Sequence, residues 1–243
     1  MLGGEPSSDG LEPAALARRL GLPLRSSLDE TPGDDLLLVG SPSGLELWSG
    51  PNPRHGRARV DFGNRQRGRP GENLRRAVGR QPGRVIDATA GFAADAFTLA
   101  TLGHRVLAWE RSPILVALIE DGLRRALADP DLRAAAGRLE IQCGDSLDLL
   151  PRLDERPDAV YIDPMYPAPE RPKTALPPLE IQLLRRLLGG EPGAEALLAS
   201  ALATGAGRVV LKRPPGAPEL AGPLAAQHAG KLARYDVYQG EAP

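Results

Sequence analysis

The sequence predicts an α/β fold, in which a parallel sheet covered on both faces by helices follows a small β-rich N-terminal part. Two observations carry this. From Gly83 onward, short apolar runs alternate with helical patterns, and such alternation builds parallel sheets through right-handed crossovers. Before that point, "DDLLLVG" and "GLELWSG" flank "SPSG", two strand-like runs around a turn and hence a hairpin.

Taken in order, "ARVDFG" (58–63) predicts another short strand, and "GENLRRAVG" a short helix with Gly79 as its stop signal. "RQPG" then leads into the main part. The strands expected there are "RVIDATA", "RVLAWE", "LEIQCGD", "AVYIDP", "GRVVLKRP" and "RYDVYQG". The intervening helices are "ADAFTLATLG", "PILVALIEDGLRRALA", "SLDLLPRL" and one near 179–203. We therefore divide the chain into residues 1–81, a small subdomain with a basic segment and linker helix, and residues 82–243, the main domain. In sheets of this kind ligands bind beyond the carboxyl ends of the strands.

Composition narrows the function. Hydrophobic content of 42% and charged content of 25% are ordinary for a globular chain and exclude global disorder. No run of about 18 apolar residues occurs, and "MLGGEPSSDG" lacks the basic and apolar regions of a signal peptide; a cytoplasmic enzyme without membrane partner is expected. The single cysteine, Cys143, excludes an intrachain disulfide, and His55, His104 and His228 are too scattered for a zinc site, so no metal is expected. The net charge of −1 hides ten arginines between residues 54 and 84 (Arg54, Arg57, Arg59, Arg65, Arg67, Arg69, Arg75, Arg76, Arg80, Arg84) against Asp61 and Glu72. That density fits a polyanion contact and equally a solvated basic face. Only three of 30 basic residues are lysine, Lys173, Lys212 and Lys231, which marks them as positions where a guanidinium fork is unsuited or as chance survivors.

Four acids, Asp87, Glu110, Asp145 and Asp163, stand at or near the ends of consecutive predicted strands. One acid after a strand is commonly a helix cap or a turn former, but four along one edge indicate a site. Glu110 lies 23 positions after Asp87, close to the roughly 20-residue offset at which an acid meets a ribose diol. The first turn, "DATAGFAAD", has one glycine, Gly91, where a dinucleotide fingerprint needs three. A nucleoside carrying a sulfonium and an amino-acid tail, S-adenosylmethionine, suits this turn better: Gly91 allows close backbone approach and nearby acids receive its ammonium and hydroxyls.

The stretch "VYIDPMYPAP" runs a buried strand into prolines, with an aspartate that needs a partner. Asp163-Pro164-Met165-Tyr166 resembles the Asp/Asn-Pro-Pro-Tyr/Phe motif of methyltransferases that act on exocyclic amines of nucleobases. By that resemblance Asp163 and the Pro164 carbonyl accept hydrogen bonds from the NH2 group, and Tyr166 stacks on the base. Such an amine has its lone pair delocalised into the ring, so positioning supplies most of the catalysis.

Beyond this motif, the chain resembles the RsmJ-type 16S ribosomal RNA guanine-N2 methyltransferases of bacteria. The likeness runs from about residue 58 to the C-terminus through "VIDATAGFAADAFTLATLGHRVLAWERSP", "LIEDGLRRA", "VYIDPMYP", "RVVLKRP" and "YDVY". It implies a Rossmann-like methyltransferase sheet, S-adenosylmethionine as cofactor, and small-subunit rRNA or the 30S particle as partner. The implied cofactor pocket comprises Ala94, Asp95, Glu110, Arg111, Asp145, Ser146 and Asp163, beside Asp87 and Gly91 from the strand-end argument. We assign Arg65, Arg67, Arg69, Lys173, Lys212 and Arg213 to RNA; all three lysines fall where the family pattern has lysine. Two departures stand out. The family's glycine-arginine-aspartate loop is Ala93-Ala94-Asp95 here, and the lysine-rich run expected after the motif is replaced by "TALPPLE". Two alternatives stay open: an amino-methyltransferase for adenine-N6 or cytosine-N4 in RNA or DNA, and a catalytically silent RNA-binding assembly factor. The oligomeric state is not readable from the sequence.

Overall fold

The computed structural model describes residues 12–27, 33, 35–52, 56–65, 71–165, 178–189 and 193–239, without the side chains of residues 64 and 65. In chain order the elements begin with α1 (Pro13–Leu20), β1 (Leu36–Ser41), β2 (Gly44–Ser49), β3 (Arg57–Ala58), α2 (Phe62–Arg65) and α3 (Glu72–Val78). There follow β4 (Arg84–Asp87), α4 (Ala94–Thr101), β5 (Arg105–Glu110), α5 (Pro113–Ala128), α6 (Arg133–Ala136), β6 (Leu139–Cys143) and α7 (Ser146–Leu149). The last elements are β7 (Ala159–Ile162), α8 (Leu179–Leu188), α9 (Ala194–Ala203), β8 (Arg208–Arg213), β9 (Leu224–Ala229) and β10 (Arg234–Tyr238). They form two compact units, one of Met1–Asp61, Ser112–Arg125 and Pro167–Gly190, the other of Phe62–Arg111, Ala126–Tyr166 and Glu191–Pro243.

The second unit is built on a seven-stranded sheet in the order β6-β5-β4-β7-β8-β10-β9. The strands from β6 to β8 pair in parallel. The apolar runs of β4, β5, β7 and β8 are buried, and Ile86, Val160, Ile162, Val209 and Leu211 form one core with Leu197, Leu198 and Ala201 of α9 and with Tyr238, as strands covered on both faces require. The chain winds outward from β4 in both directions, to β5 and β6 on one side and to β7 and β8 on the other. That reversal opens a crevice at the carboxyl ends of β4 and its neighbours.

Three expectations are corrected. The sheet is mixed, because β10 pairs antiparallel with β8 and β9 antiparallel with β10; β9 is "LAAQHA", an edge strand whose alternate residues are exposed and which lacks the β-branched residues that advertise a strand. The helix near 179–203 is two helices, since Gly189, at φ 70°, ends α8 and Gly193 precedes α9. The strand over "ARVDFG" shrinks to β3, and Phe62 instead opens α2 and stacks on Phe97 with ring centroids 4.2 Å apart.

In the first unit, β1 and β2 form the expected hairpin, Ser41 opposite Gly44, with β3 alongside. Asp121 of α5 anchors it. Its carboxylate is fully buried, accepts a hydrogen bond from the Leu45 backbone N–H at 3.0 Å, and pairs with Arg124 and Arg125 at 2.8 and 3.0 Å. Gly44 has φ +118°, and a Cβ there would stand 2.5 Å from Asp121 Oδ2, so the approach demands glycine. Among the described residues no helix is long and apolar enough to cross a membrane.

Replacing one member of such a pair strands the others. Asp121→Ala should lower stability in urea denaturation by about 3 kcal/mol, and Asp121→Asn, which keeps an acceptor for Leu45, by clearly less.

Candidate active site at the carboxyl edge of the sheet

Parallel pairing brings the four strand-end acids to one edge. Asp87 ends β4, Glu110 ends β5, Asp145 follows β6 and Asp163 follows β7. Two clusters result.

The first is a solvent-open cleft lined by Ala88, Thr89, Trp109, Glu110, Arg111, Gly144, Asp145, Ser146 and Leu197, an apolar wall with a few convergent polar groups. Its floor is held by the protein's own hydrogen bonds. Glu110, 5% exposed, accepts from the Gly91 backbone N–H at 3.0 Å. Ser146 Oγ donates to the Ala88 carbonyl at 2.6 Å, and Asp145 caps α7 by accepting from the Leu147 N–H at 2.9 Å. The turn that delivers Gly91 contains two left-handed residues, Gly91 at φ 54° and Ala93 at φ 55°. For alanine this conformation costs roughly 1–2 kcal/mol, so Ala93 holds the turn under strain. Apolar wall from Ala88 and Leu197, a carboxylate at the end of β5 and a half-buried backbone turn at Gly91 make a set that fits the nucleoside end of S-adenosylmethionine.

The second cluster centres on Lys212 of β8. Its ammonium donates to Asp95 Oδ2 and to Asp163 Oδ2, both at 2.7 Å. Tyr161 of β7 donates its hydroxyl to the same Asp95 oxygen at 2.7 Å, and the Asp163 backbone N–H donates to Thr89 Oγ1 at 2.6 Å. Thr89 also lines the cleft, so one residue joins the two clusters. Burial alone would lower the Lys212 pKa, but the carboxylates of Asp163 and Asp95 outweigh it and the ammonium is raised above its ordinary range. The Tyr161 hydroxyl is raised by burial and by Asp95 and Asp163, and that of Tyr235 chiefly by burial. Asp87, 1% exposed, accepts from the Thr89 N–H at 3.0 Å. Burial, with Asp95 and Asp163 adding, raises its carboxyl from 3.8 to about 8 against the opposing effects of Thr89 and Lys212. Asp87 is thus mostly protonated at neutral pH, and two carboxylates face one ammonium. The excess negative charge suits a cationic amino-acid tail.

Of the residues assigned from sequence, Gly91, Ala94, Asp95, Glu110, Arg111, Asp145, Ser146, Asp163 and Asp87 all lie in this second unit on or near the strand-end edge, and Pro164 is buried beside it. Lys212, assigned to RNA, instead joins Asp95 to Asp163, and Arg213 is 6% exposed. Tyr166, Arg67, Arg69 and Lys173 lie outside the described residues, as does the Arg65 side chain. Much of the described arginine-rich segment is ion-paired: Arg57 with Glu46, Arg59 with Asp61, Arg76 and Arg80 with Glu72, Arg84 with Glu155. The exposed ones among them, at Glu72 and Glu155, are weak and exchangeable. Thr89 and Tyr161 escaped the sequence reading. A tyrosine inside an aliphatic strand is the available signal for Tyr161, and lysine's rarity is the signal for Lys212. Among the described residues no group of three or more His, Cys, Asp or Glu could hold a metal ion.

Residues 21–240 match the family described as "Putative SAM-dependent methyltransferase". The chain is 43% identical over 238 residues to the ribosomal RNA small subunit methyltransferase J of Pseudomonas aeruginosa strain LESB58, covering 93% of this chain and 89% of that protein. It is 41% identical over 247 residues to the protein of the same name from Pseudomonas syringae pv. tomato, covering 96% and 89%. Its structure is similar to the crystal structure of a SAM-dependent methyltransferase from Neisseria gonorrhoeae, with 31% identity, a TM-score of 0.78, and coverage of 100% of this chain and 96% of that one.

The Asp87 geometry has a pH signature. With the folded pKa at about 8 against 3.8, the native chain keeps a proton that the unfolded chain releases between these values, so this term lowers stability as pH rises from about 4 to 8. Asp87→Asn retains the acceptor for Thr89 and removes the titration. Urea midpoints measured at pH 5, 7 and 9 should therefore fall more steeply for the wild type than for Asp87→Asn; parallel curves would mean that Asp87 ionises normally.

Proposed function

Because the chain belongs to the SAM-dependent methyltransferase family, we propose that it methylates the exocyclic N2 of a guanine in small-subunit ribosomal RNA. The observation that carries the reading is the double use of Thr89, which lines the cofactor cleft and accepts the Asp163 N–H. That shared residue supports taking Asp163 as the amine acceptor beside the cleft. The Pseudomonas relatives, named for small-subunit rRNA methylation, supply the substrate class, and the Asp163-Pro164-Met165-Tyr166 motif supplies the amine.

S-adenosylmethionine, when bound, supplies an electrophilic methyl group on sulfur. Glu110, Asp145 and Ser146 would hold its nucleoside and Asp95 its cationic tail. Asp163 receives an N–H of the guanine amine and so aims the nitrogen lone pair toward the cleft. As that nitrogen gains a methyl group and positive charge, the carboxylate stabilises it and receives the proton it sheds. Tyr166 stacks on the base, which must be unpaired or flipped to reach the edge of the sheet. Arg65, Arg67, Arg69 and Lys173 are assigned to rRNA phosphates, for which the internal ion pairs of the neighbouring arginines can be exchanged.

Single-turnover transfer from radiolabelled S-adenosylmethionine to small-subunit particles, followed by nucleoside mass spectrometry, tests the reading. N2-methylguanosine is expected; N6-methyladenosine or N4-methylcytidine would reassign the target, and cofactor binding without transfer to any RNA would leave a silent binding protein. Glu110→Ala should weaken cofactor affinity at least about tenfold by calorimetry, the loss of a charge-assisted bond. Asp163→Ala should reduce transfer by orders of magnitude with a smaller change in cofactor affinity.

A further inference from the structure

A residue type scarce in this chain occupies its most crowded acidic position. Lys212 is one of three lysines among 30 basic residues, and its nitrogen lies 2.7 Å from a carboxylate oxygen on each of two elements, Asp95 in α4 and Asp163 after β7. Its side chain is 26% exposed. Two acceptors converging on one nitrogen suit a compact ammonium with rotatable donors, whereas a planar guanidinium needs acceptors arrayed along its fork. Drawing the ammonium out toward an RNA phosphate would leave Asp95 and Asp163 facing each other beside buried Asp87.

We propose that Lys212 is a positioning residue for methyl transfer, its ammonium clamping the Asp163 carboxylate between β8 and α4 in the orientation that receives the acceptor amine. The inference rests on the reading of Asp163 as the amine acceptor. The Thr89 bond fixes the backbone of Asp163, and that leaves the side-chain torsions to be set. Lys212 sets them from one side while Asp95, itself held by the Tyr161 hydroxyl, holds Lys212 from the other. The charged and titratable groups around the ammonium are Asp87 on β4, Asp95 on α4, Tyr161 and Asp163 on and after β7, and Tyr235 on β10.

The test compares Lys212→Met, Lys212→Ala and Lys212→Arg. A misplacement of about 1 Å can cost on the order of 100-fold in rate, so Lys212→Met should lower the single-turnover rate at saturating RNA by about that factor. Lys212→Arg, with its charge kept and its shape wrong, should fall between. Propylammonium in solution should partly restore Lys212→Ala, which a merely structural lysine would not show. RNA affinity and its slope against log salt should match wild type. A slope smaller by somewhat under one unit, with the saturated rate normal, would make Lys212 a phosphate contact and overturn the proposal. Carbon-13 NMR of the carboxyl groups decides independently of RNA and cofactor: Asp163 should change chemical shift and titrate at higher pH in Lys212→Met, and an unmoved resonance would sink the clamp. Should Lys212→Met fail to fold, Lys212→Arg, which keeps the charge, is read by the Asp163 chemical shift and the single-turnover rate. If wild type transfers no methyl to the particles, the substrate reading fails while the NMR titration still judges the clamp.

Discussion

The edge of a sheet where several carboxylates converge is stable only if some are neutral and the rest have a cation. Here both solutions operate side by side. Asp87 keeps its proton because burial and two neighbouring acids make ionisation costly, while Asp95 and Asp163 share Lys212. The arrangement holds the acids close enough to act on one ligand without the mutual repulsion that would splay β4, β7 and β8.

The sheet order makes this convergence possible. Since β4 lies between β5 and β7, the loop after β4 can serve both sides: Gly91 turns its N–H to Glu110 on one, and Thr89 takes the Asp163 N–H on the other. A short run of backbone thus ties the cleft beside Glu110 to Asp163. The left-handed Ala93 in that run shows that the turn is imposed by its surroundings, which include burial of Ala93 itself, because alanine left alone would avoid it.

The alternation of apolar runs and helices made the parallel strands readable in advance, and the acids at their ends pointed to the cleft. What escaped was set by tertiary pairing. The β9 strand is marked only by alternate exposure on an edge, which alanine and glutamine do not announce. The break between α8 and α9 depends on the backbone of Gly189, whereas apolar residues continue on both sides of it. The partnership of Lys212 with Asp95 joins residues 117 positions apart, and no spacing rule reaches that far. Lysine in an arginine-rich chain was a visible signal, but it named the position without naming the partner.

The order in which the site's residues occur along the chain bears on how the protein is made. Asp87, Asp95 and Asp163 are all synthesised before Lys212, and β8, which carries it, is laid against β7 by pairing at the far side of that strand from β4. A nascent chain that has paired β4 with β7 holds three acids at one edge with no ammonium among them. Such an intermediate gains by keeping protons on its carboxyls or that edge open, and arrival of β8 completes the charge balance and the parallel part of the sheet together. The strand that carries Lys212 is therefore a folding commitment: this edge is charge-balanced only once residue 212 has been made and paired.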